Sequence, residues 1–184
     1  GFIKSNLQLT NIDNIDNASY IGNVVFDEFN VGVLINDPLV KMTSFNLDVD
    51  GKGFMLDNLR TDVKGDVYTL DYNDYIYKNI NVSGDLGNEI FNGVLKADDP
   101  NLKLEFNGLV DVSKEFNKFD FRALVGYADL KVLNFITRDS LSEFRGLVSM
   151  TATGSSYDDA SGSVNIKNTT YTNQDSNYKF QDFD

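Results

Sequence analysis

The sequence predicts an all-β fold built on one long antiparallel sheet, and three observations lead there. Apolar and polar residues alternate over most of the chain, which is typical of strands with one wet face. The phrase Phe-x-Gly recurs at Phe91, Phe106 and Phe144, each time inside such a stretch, and this repetition indicates growth strand by strand. Asp and Asn dominate the polar residues, and both favour turns over helix interiors.

The first 42 residues are the least certain part of the predicted sheet. Leu7 and Leu9 alternate with a polar residue, and Val24 and Phe26 lie further along. A further apolar row at positions 31, 33 and 35 ends where Asp37-Pro38 interrupts the pattern.

From Thr43 the alternation is regular, and glycines mark its predicted turns. Phe45, Leu47 and Val49 form one apolar row, which the phrase Gly51-Lys52-Gly53 is predicted to end. Further turns are predicted at Gly65-Asp66, Gly84-Asp85 and Gly87-Asn88.

The middle of the chain carries the longest alternation, over residues 102–112. It follows a predicted turn at Asp98-Asp99-Pro100-Asn101, where Pro and Asx residues stand at turn positions. Leu130 and Leu133 are at helical spacing, so a short helix is predicted near Leu130. Strands return from Phe144 and continue past a Ser/Asp/Gly-rich turn at 154–162. In total the pattern predicts about twelve strands of roughly 6–10 residues.

Composition limits the classes of partner. The 184 residues carry a net charge of −12, so the surface repels nucleic acid phosphates and gains nothing from anionic lipid headgroups. Cysteine and histidine are absent, which removes disulfides, thiolate metal sites and the commonest general base. No apolar run approaches the roughly 18 residues that a spanning helix needs. Because the chain begins in the middle of a strand pattern, we expect residues 1–184 to be one continuous β-sheet segment of a longer protein.

Candidate chemistry is sparse, and the sequence predicts neither an enzyme nor a bound metal or cofactor. Asp48 opens a phrase like a calcium loop, but the position of the required bidentate Glu is Leu59. The adjacent carboxylates Asp98-Asp99 and Asp158-Asp159 lie in turn contexts, where such residues cap backbone groups. Serine nucleophiles have no histidine partner in this chain.

From Tyr75 to Asp184 the chain resembles the periplasmic region of TamB proteins from Bacteroidetes-type bacteria, within the AsmA-like group. The resemblance rests on the order and spacing of several short phrases. They are Tyr77-Lys78-Asn79-Ile80 with Gly84, Phe91-Asn92-Gly93-Val94-Leu95, Asp98-Asp99-Pro100-Asn101-Leu102, Phe106-Asn107-Gly108-Leu109-Val110-Asp111, Ala128-Asp129-Leu130 with Leu133-Asn134, Arg138-Asp139-Ser140, Gly154-Ser155-Ser156-Tyr157-Asp158-Asp159-Ala160-Ser161-Gly162 and Ile166-Lys167-Asn168.

The resemblance implies an elongated, twisted sheet curled into a trough with an apolar lining. It also implies a bridge for phospholipid between the inner and outer membranes, located in the periplasm and anchored to the inner membrane by a part that is not present here. An outer-membrane barrel protein is an implied partner through regions outside this chain. The N-terminal anchor and the apolar, glycine-rich C-terminal region of such proteins are not in this sequence.

The residues by themselves leave two options for the apolar face: the sheet packs on itself, or a ligand covers it. An apolar ligand such as an acyl chain fits the second option. Together with the resemblance, this predicts a non-enzymatic groove that shields phospholipid acyl chains. The predicted lining consists of Leu70, Tyr72, Ile80, Val82, Phe91, Leu95, Leu104, Phe106, Val110, Phe119, Phe121, Val125, Phe144 and Val148.

Two other functional classes stay open from the sequence. One is an envelope or surface β-solenoid binding module, with a dry core and a functional outer face. The other is a scaffold for outer-membrane protein assembly that offers an edge strand to a client. The Phe-x-Gly phrases also have two interpretations. The glycines would let a Phe ring lie across a neighbouring strand and let the sheet bend, and the phenylalanines would line the path of the lipid.

Overall fold

The computed structural model describes residues 1–14, 18–35, 37–53, 58–87, 89–113, 116–155 and 159–183. These residues form eleven strands and one short helix. The elements are β1 (Phe2–Thr10), β2 (Ser19–Asn30), α1 (Val31–Ile35), β3 (Val40–Lys52), β4 (Arg60–Tyr72), β5 (Tyr75–Gly87), β6 (Ile90–Asp99), β7 (Leu102–Asp111), β8 (Asn117–Asp129), β9 (Ser142–Gly154), β10 (Ser161–Asn173) and β11 (Asn177–Phe183).

All eleven strands belong to one sheet, in which spatial order follows sequence order from β1 to β11. Each strand pairs antiparallel with its neighbour along the chain, and the sheet does not close into a barrel. Ten spacings of about 4.8 Å give the sheet a length of about 48 Å across its strands. The predicted fold class, an all-β antiparallel open sheet, is confirmed.

The cross-strand register separates the sheet into two faces of opposite character. Directly opposite residues share a face, and one such row joins Val82, Leu95, Phe106, Ala123, Val148 and Ile166 on β5 to β10. The next row belongs to the opposite face and contains Ser83, Val94, Asn107, Arg122, Ser149 and Asn165, of which only Val94 is apolar. We call these the apolar face and the polar face.

Three of the predicted turns are wrong. Gly51 and Lys52 pair within β3, and Gly65 and Gly84 lie inside β4 and β5. The reason is close approach of neighbouring backbones, since a Cβ on Gly84 would stand 2.6 Å from the Cα of Gly93. The strands are therefore fewer and longer than predicted, with up to 13 residues each. The turn at Gly87-Asn88 is correctly placed at the end of β5, although Asn88 itself lies outside the described residues.

The predicted helix near Leu130 is also wrong. The Leu133 amide donates to the Asp129 carbonyl, as in one helical turn, but the Phe135 and Ile136 amides both return to the Leu130 carbonyl. The chain therefore folds into consecutive turns. The one described helix is α1, which occupies the region where an apolar row was predicted before Asp37-Pro38.

A line of β-bulges crosses the sheet at one level. Register shifts fall beside Phe26, Phe45, Leu104 and Val125, and these residues lie in one row of directly paired positions with Val67, Ile80 and Ala97. Glu28, Asn79 and Asn168 have left-handed φ values of 47°, 53° and 50° just beyond this row. Because a bulge bends its strand and increases the local twist, a shared line of bulges curves the whole sheet, as a trough requires.

Substitution of Gly108 tests whether the close pairing of neighbouring strands requires glycine at this position. Its φ is +139°, and a Cβ there would stand 2.5 Å from the Cα of Phe121. We expect Gly108→Ala to lower the free energy of unfolding by about 1–3 kcal/mol in urea denaturation. Gly126→Ala is the matched control on the next strand, because its nearest neighbours would be Lys103 Cβ at 3.4 Å and the Lys103 carbonyl oxygen at 3.7 Å. A change within about 0.5 kcal/mol is expected for the control, and equal losses in both variants would contradict this role for Gly108.

Candidate functional site: the apolar face

The structure brings all fourteen predicted lining residues to the apolar face. Ile80 is buried and the other thirteen are half-buried, so none of the fourteen is fully exposed. Leu70 and Tyr72 lie beyond the bulge line, opposite Tyr77 and Tyr75, and remain on this face because β4 has an extra residue between Val67 and Thr69, where its register with β3 shifts.

A folded segment, residues 130–141, covers part of this face, and we call it the cap. Its Leu133 is fully buried and packs in one cluster with Tyr77, Ile80, Ala97 and Ala128. The cap therefore supplies a side chain from outside the sheet to the most buried part of the apolar face.

Hydrogen bonds hold the cap at both ends. The Asn134 side chain donates to the Asn73 carbonyl at 2.9 Å, and the Asn73 side chain donates back to the Asn134 carbonyl at 3.5 Å. At the other end the Tyr171 hydroxyl donates to Asp139 at 3.1 Å. The cap thus reaches from the β4–β5 turn to β10.

The cap divides the predicted lining into two equal groups. The capped half packs into the Leu133 cluster and consists of Leu70, Tyr72, Ile80, Leu95, Leu104, Val125 and Phe144. The remaining seven lie outside that cluster and form the open half, which consists of Val82, Phe91, Phe106, Val110, Phe119, Phe121 and Val148.

Aromatic rings cross the open half. The ring centroids of Phe91 and Phe106 are 5.9 Å apart, and those of Phe106 and Phe121 are 5.3 Å apart. Phe91 and Phe106 flank the directly paired glycines Gly93 and Gly108 on a diagonal, so their rings must lean over the glycines to meet. The predicted steric role of the Phe-x-Gly glycines is confirmed.

A cavity of about 620 Å³ lies in the open half, at the ends of β8, β9 and β10. Its lining residues include the apolar Phe119, Met150, Ala152, Ala160 and Val164 and the polar Asn117, Thr153, Ser155, Ser161 and Ser163. Met150, Ala152 and Val164 are missing from the predicted lining. The alternation of apolar and polar residues in the sequence is sufficient to predict all three, because each continues the apolar row of its strand.

The carboxylate of Asp99 is buried beneath the capped end of the sheet and is fully hydrogen-bonded. It accepts from the Tyr75 hydroxyl at 2.5 Å, the Lys78 amide at 2.9 Å and the Asn101 amide at 2.8 Å. Burial and the hydrogen bond to Asp99 raise the pKa of Tyr75 to about 12. Asp99 therefore orders the β6–β7 turn, as predicted for an Asx residue in this context.

The other candidate carboxylates also have structural partners. Asp48 lies within β3 and accepts from Asn23 at 2.9 Å, and Asp98 pairs with Lys103. Asp159 accepts from Ser155, whereas Asp158 lies outside the described residues. In the described part of the chain, no group of three or more carboxylates is arranged to hold a metal ion.

On the polar face, Asp62 stands directly opposite Asp85. The hydrogen bond and the negative charge of Asp62 raise the pKa of Asp85, which is the usual effect of one carboxylate on a close neighbour.

Comparisons of this chain with models of known protein families, with curated proteins and with solved structures give no match. Among the described residues, no helix has the length and apolar character needed to cross a membrane.

Leu133 gives a test of the cap. We expect Leu133→Ala to reduce the free energy of unfolding by about 2–5 kcal/mol, because it leaves a cavity at a fully buried site. Val132→Ala is the neighbouring control, since Val132 is 43% exposed and should change stability by no more than about 0.5 kcal/mol. Urea denaturation of both variants measures the difference. Equal effects would show that the cap does not contribute to the core.

The pH dependence of stability tests the hydrogen bond between Tyr75 and Asp99. Since the folded protein raises the pKa of Tyr75 from its ordinary value of 10.0 to about 12, this contribution to stability is complete below pH 10. It is then lost as pH rises through the folded pKa. We expect stability to fall less steeply over this range in Tyr75→Phe than in the native chain. Urea denaturation across the alkaline range makes the comparison, and identical slopes would contradict the proposed role of the Tyr75–Asp99 contact.

Proposed function

We propose that this chain is a non-enzymatic segment of a lipid bridge, in which the open half of the apolar face shields phospholipid acyl chains. The observation that carries the proposal is an apolar surface with only a partial cover. The described elements form one sheet and one short helix, so no second sheet lies over the open half. A single-layer sheet with an apolar face needs a partner for that face.

The chemistry of the open half suits an acyl chain. Its seven defining residues are aliphatic or aromatic, and Lys96, Glu105 and Arg122 of the same strands are exposed on the polar face. Each methylene removed from water contributes about 0.8 kcal/mol, and no directional partner is required. The apolar residues form a row that crosses successive strands, so an acyl chain can move along the sheet by replacing each apolar contact with a similar one on the next strand.

The cellular setting is proposed from the family resemblance. In that setting the bridge spans the periplasm between the inner and outer membranes. It is anchored to the inner membrane by another part of the protein, and an outer-membrane barrel protein is a partner through regions outside this chain. The acidic surface, with its net charge of −12, disfavours nucleic acid as a partner.

A second candidate function is a binding module with a dry core. The capped half favours it, because seven of the predicted lining residues belong to or pack against the buried cluster that contains Leu133. In that function the outer, polar face would recognise the partner.

A scaffold for outer-membrane protein assembly is the third candidate. It is favoured by β1, which pairs on one side only within the described sheet and exposes Phe2, Ile3 and Leu9. Such an edge can add a strand from a client.

Phe106 tests the lipid proposal. We expect Phe106→Asp to remove co-purifying phospholipid, because it places a charge in the middle of the aromatic row. Asn107→Asp is the matched control, since it adds the same charge one residue along, on the exposed polar face. Native mass spectrometry followed by lipid extraction reads out both variants, and circular dichroism shows whether each is folded.

Three outcomes separate the candidates. Phospholipid retained by Asn107→Asp and lost by a folded Phe106→Asp supports the lipid groove. A native chain that carries no phospholipid and takes up none from fluorescent vesicles contradicts it and favours the dry core. Loss of folding in Phe106→Asp directs the test to Phe121→Asp, the neighbour in the same aromatic row.

A further inference from the structure

The cap leaves the sheet and returns to it at neighbouring points. It begins after Asp129, the last residue of β8, and ends before Ser142, the first residue of β9. Asp129 is paired with Glu143 in the β8–β9 ladder, and the Leu130 amide donates to the Ser142 carbonyl at 2.7 Å. The two ends of the cap are thus fixed side by side, as in an Ω-loop. The cap can therefore swing away from the sheet without breaking any strand pairing.

The cap carries hydrogen bonds of its own. The Phe135 and Ile136 amides both donate to the Leu130 carbonyl, at 2.9 and 3.0 Å. The Lys131 side chain donates to the Thr137 carbonyl at 2.8 Å, which ties the middle of the cap to its second part. Because the donor and the acceptor of each bond lie within the cap, these bonds persist when the cap moves as one body. Movement of the whole cap therefore leaves none of these groups unpaired.

Between its two ends, side chains hold the cap against the sheet. Leu133 is buried in the cluster on the apolar face, and the Asn134 and Asp139 side chains are hydrogen-bonded to Asn73 and Tyr171. The cap, which the structure describes in full, contains no strand residue, so no backbone ladder adds to these contacts. A segment that is held by side chains alone opens more readily than the paired strands around it.

The sheet beneath the cap keeps its own pairing when the cap leaves. Tyr77 and Ile80 lie on β5 and Ala97 lies on β6, and both strands are paired on each side. The row of Ile80 and Ala97 is followed on the same face by the row of Val82 and Leu95. Removal of the cap therefore joins the capped half and the open half into one apolar surface.

We propose that the cap is a hinged cover, which opens as one body about the β8–β9 junction and controls access to the capped half of the apolar face. The structure describes the closed form. The ligand of the open form rests on the proposed lipid function: an acyl chain that advances from the open half takes the place of Leu133 against Tyr77 and Ile80. One apolar group then replaces another in the cluster. Because the chain contacts these residues only when the cap is open, its binding shifts the cap toward the open form.

Hydrogen exchange of the full 184-residue chain, followed by mass spectrometry, tests the hinged cover without any ligand. The Phe135 and Ile136 amides should exchange at least about tenfold faster than the amides of β5 and β6, with a weak dependence on urea. Tyr171→Phe removes the hydrogen bond to Asp139 and should speed exchange in the cap roughly two- to tenfold while β5 is unchanged. Tyr178→Phe is the matched control and should change neither rate, since Tyr178 lies directly opposite Tyr171 on β11 and is 45% exposed.

Addition of hexadecanoyl lysophosphatidylcholine separates the hinged cover from the lipid function. We expect this probe to speed exchange in the cap and to slow it in β7 and β8, beneath the aromatic row. A cap that exchanges no faster than β5, or a Tyr171→Phe variant that behaves as the native chain, overturns the hinged cover. If the cap exchanges fast and native mass spectrometry shows no bound probe, the cover stands and the lipid function fails. Bound probe with unchanged exchange in the cap overturns its control of access.

Discussion

The cross-strand register, shifted mainly along one line of bulges in the described sheet, is the constraint on which the rest of the structure depends. Strand side chains alternate between faces, so a slip of one residue in any hairpin would transfer a row of apolar side chains to the polar face. The bulges preserve this register by adding a residue at one level. At Asn79 the left-handed backbone shifts the alternation so that Tyr77 and Ile80 both face the core. Curvature and a single apolar face are thus produced by the same residues.

The cap allows a one-layer sheet to be stable while part of its face stays open. The largest fully buried side chains among the described residues are Leu133, Asp99 and Ser142, which lie at the same end of the sheet. The open half has a different arrangement, in which rings cover glycines and leave half-buried surface behind. The capped half therefore supplies most of the packing on this face, and in the proposed lipid function the open half would supply binding, so that a substitution would affect either of them separately.

Local alternation was enough to predict the strands and to place Leu70, Phe106 and their companions on one face. It could not predict which glycines lie in turns, because Gly65 and Gly84 are required by the close approach of the backbone on a neighbouring strand, which the local sequence does not show. The helix near Leu130 failed for a related reason, since Leu133 is fixed by Tyr77, Ile80 and Ala97, more than thirty residues earlier in the sequence. Met150 and Val164 continue the same alternation, so the pattern is sufficient to predict both as lining residues, although the predicted set lacks them.

The cap lies along one side of the trough only, and this gives the cross-section a handedness. In the proposed lipid bridge, a molecule in the groove would meet the cap on one flank and solvent on the other. Its polar end would then face a single direction and keep that direction as the molecule moved from strand to strand. A neighbouring stretch of sheet that received the same molecule would have to open on the matching flank. The cap would then align the groove with successive parts of the bridge, as well as supplying buried surface.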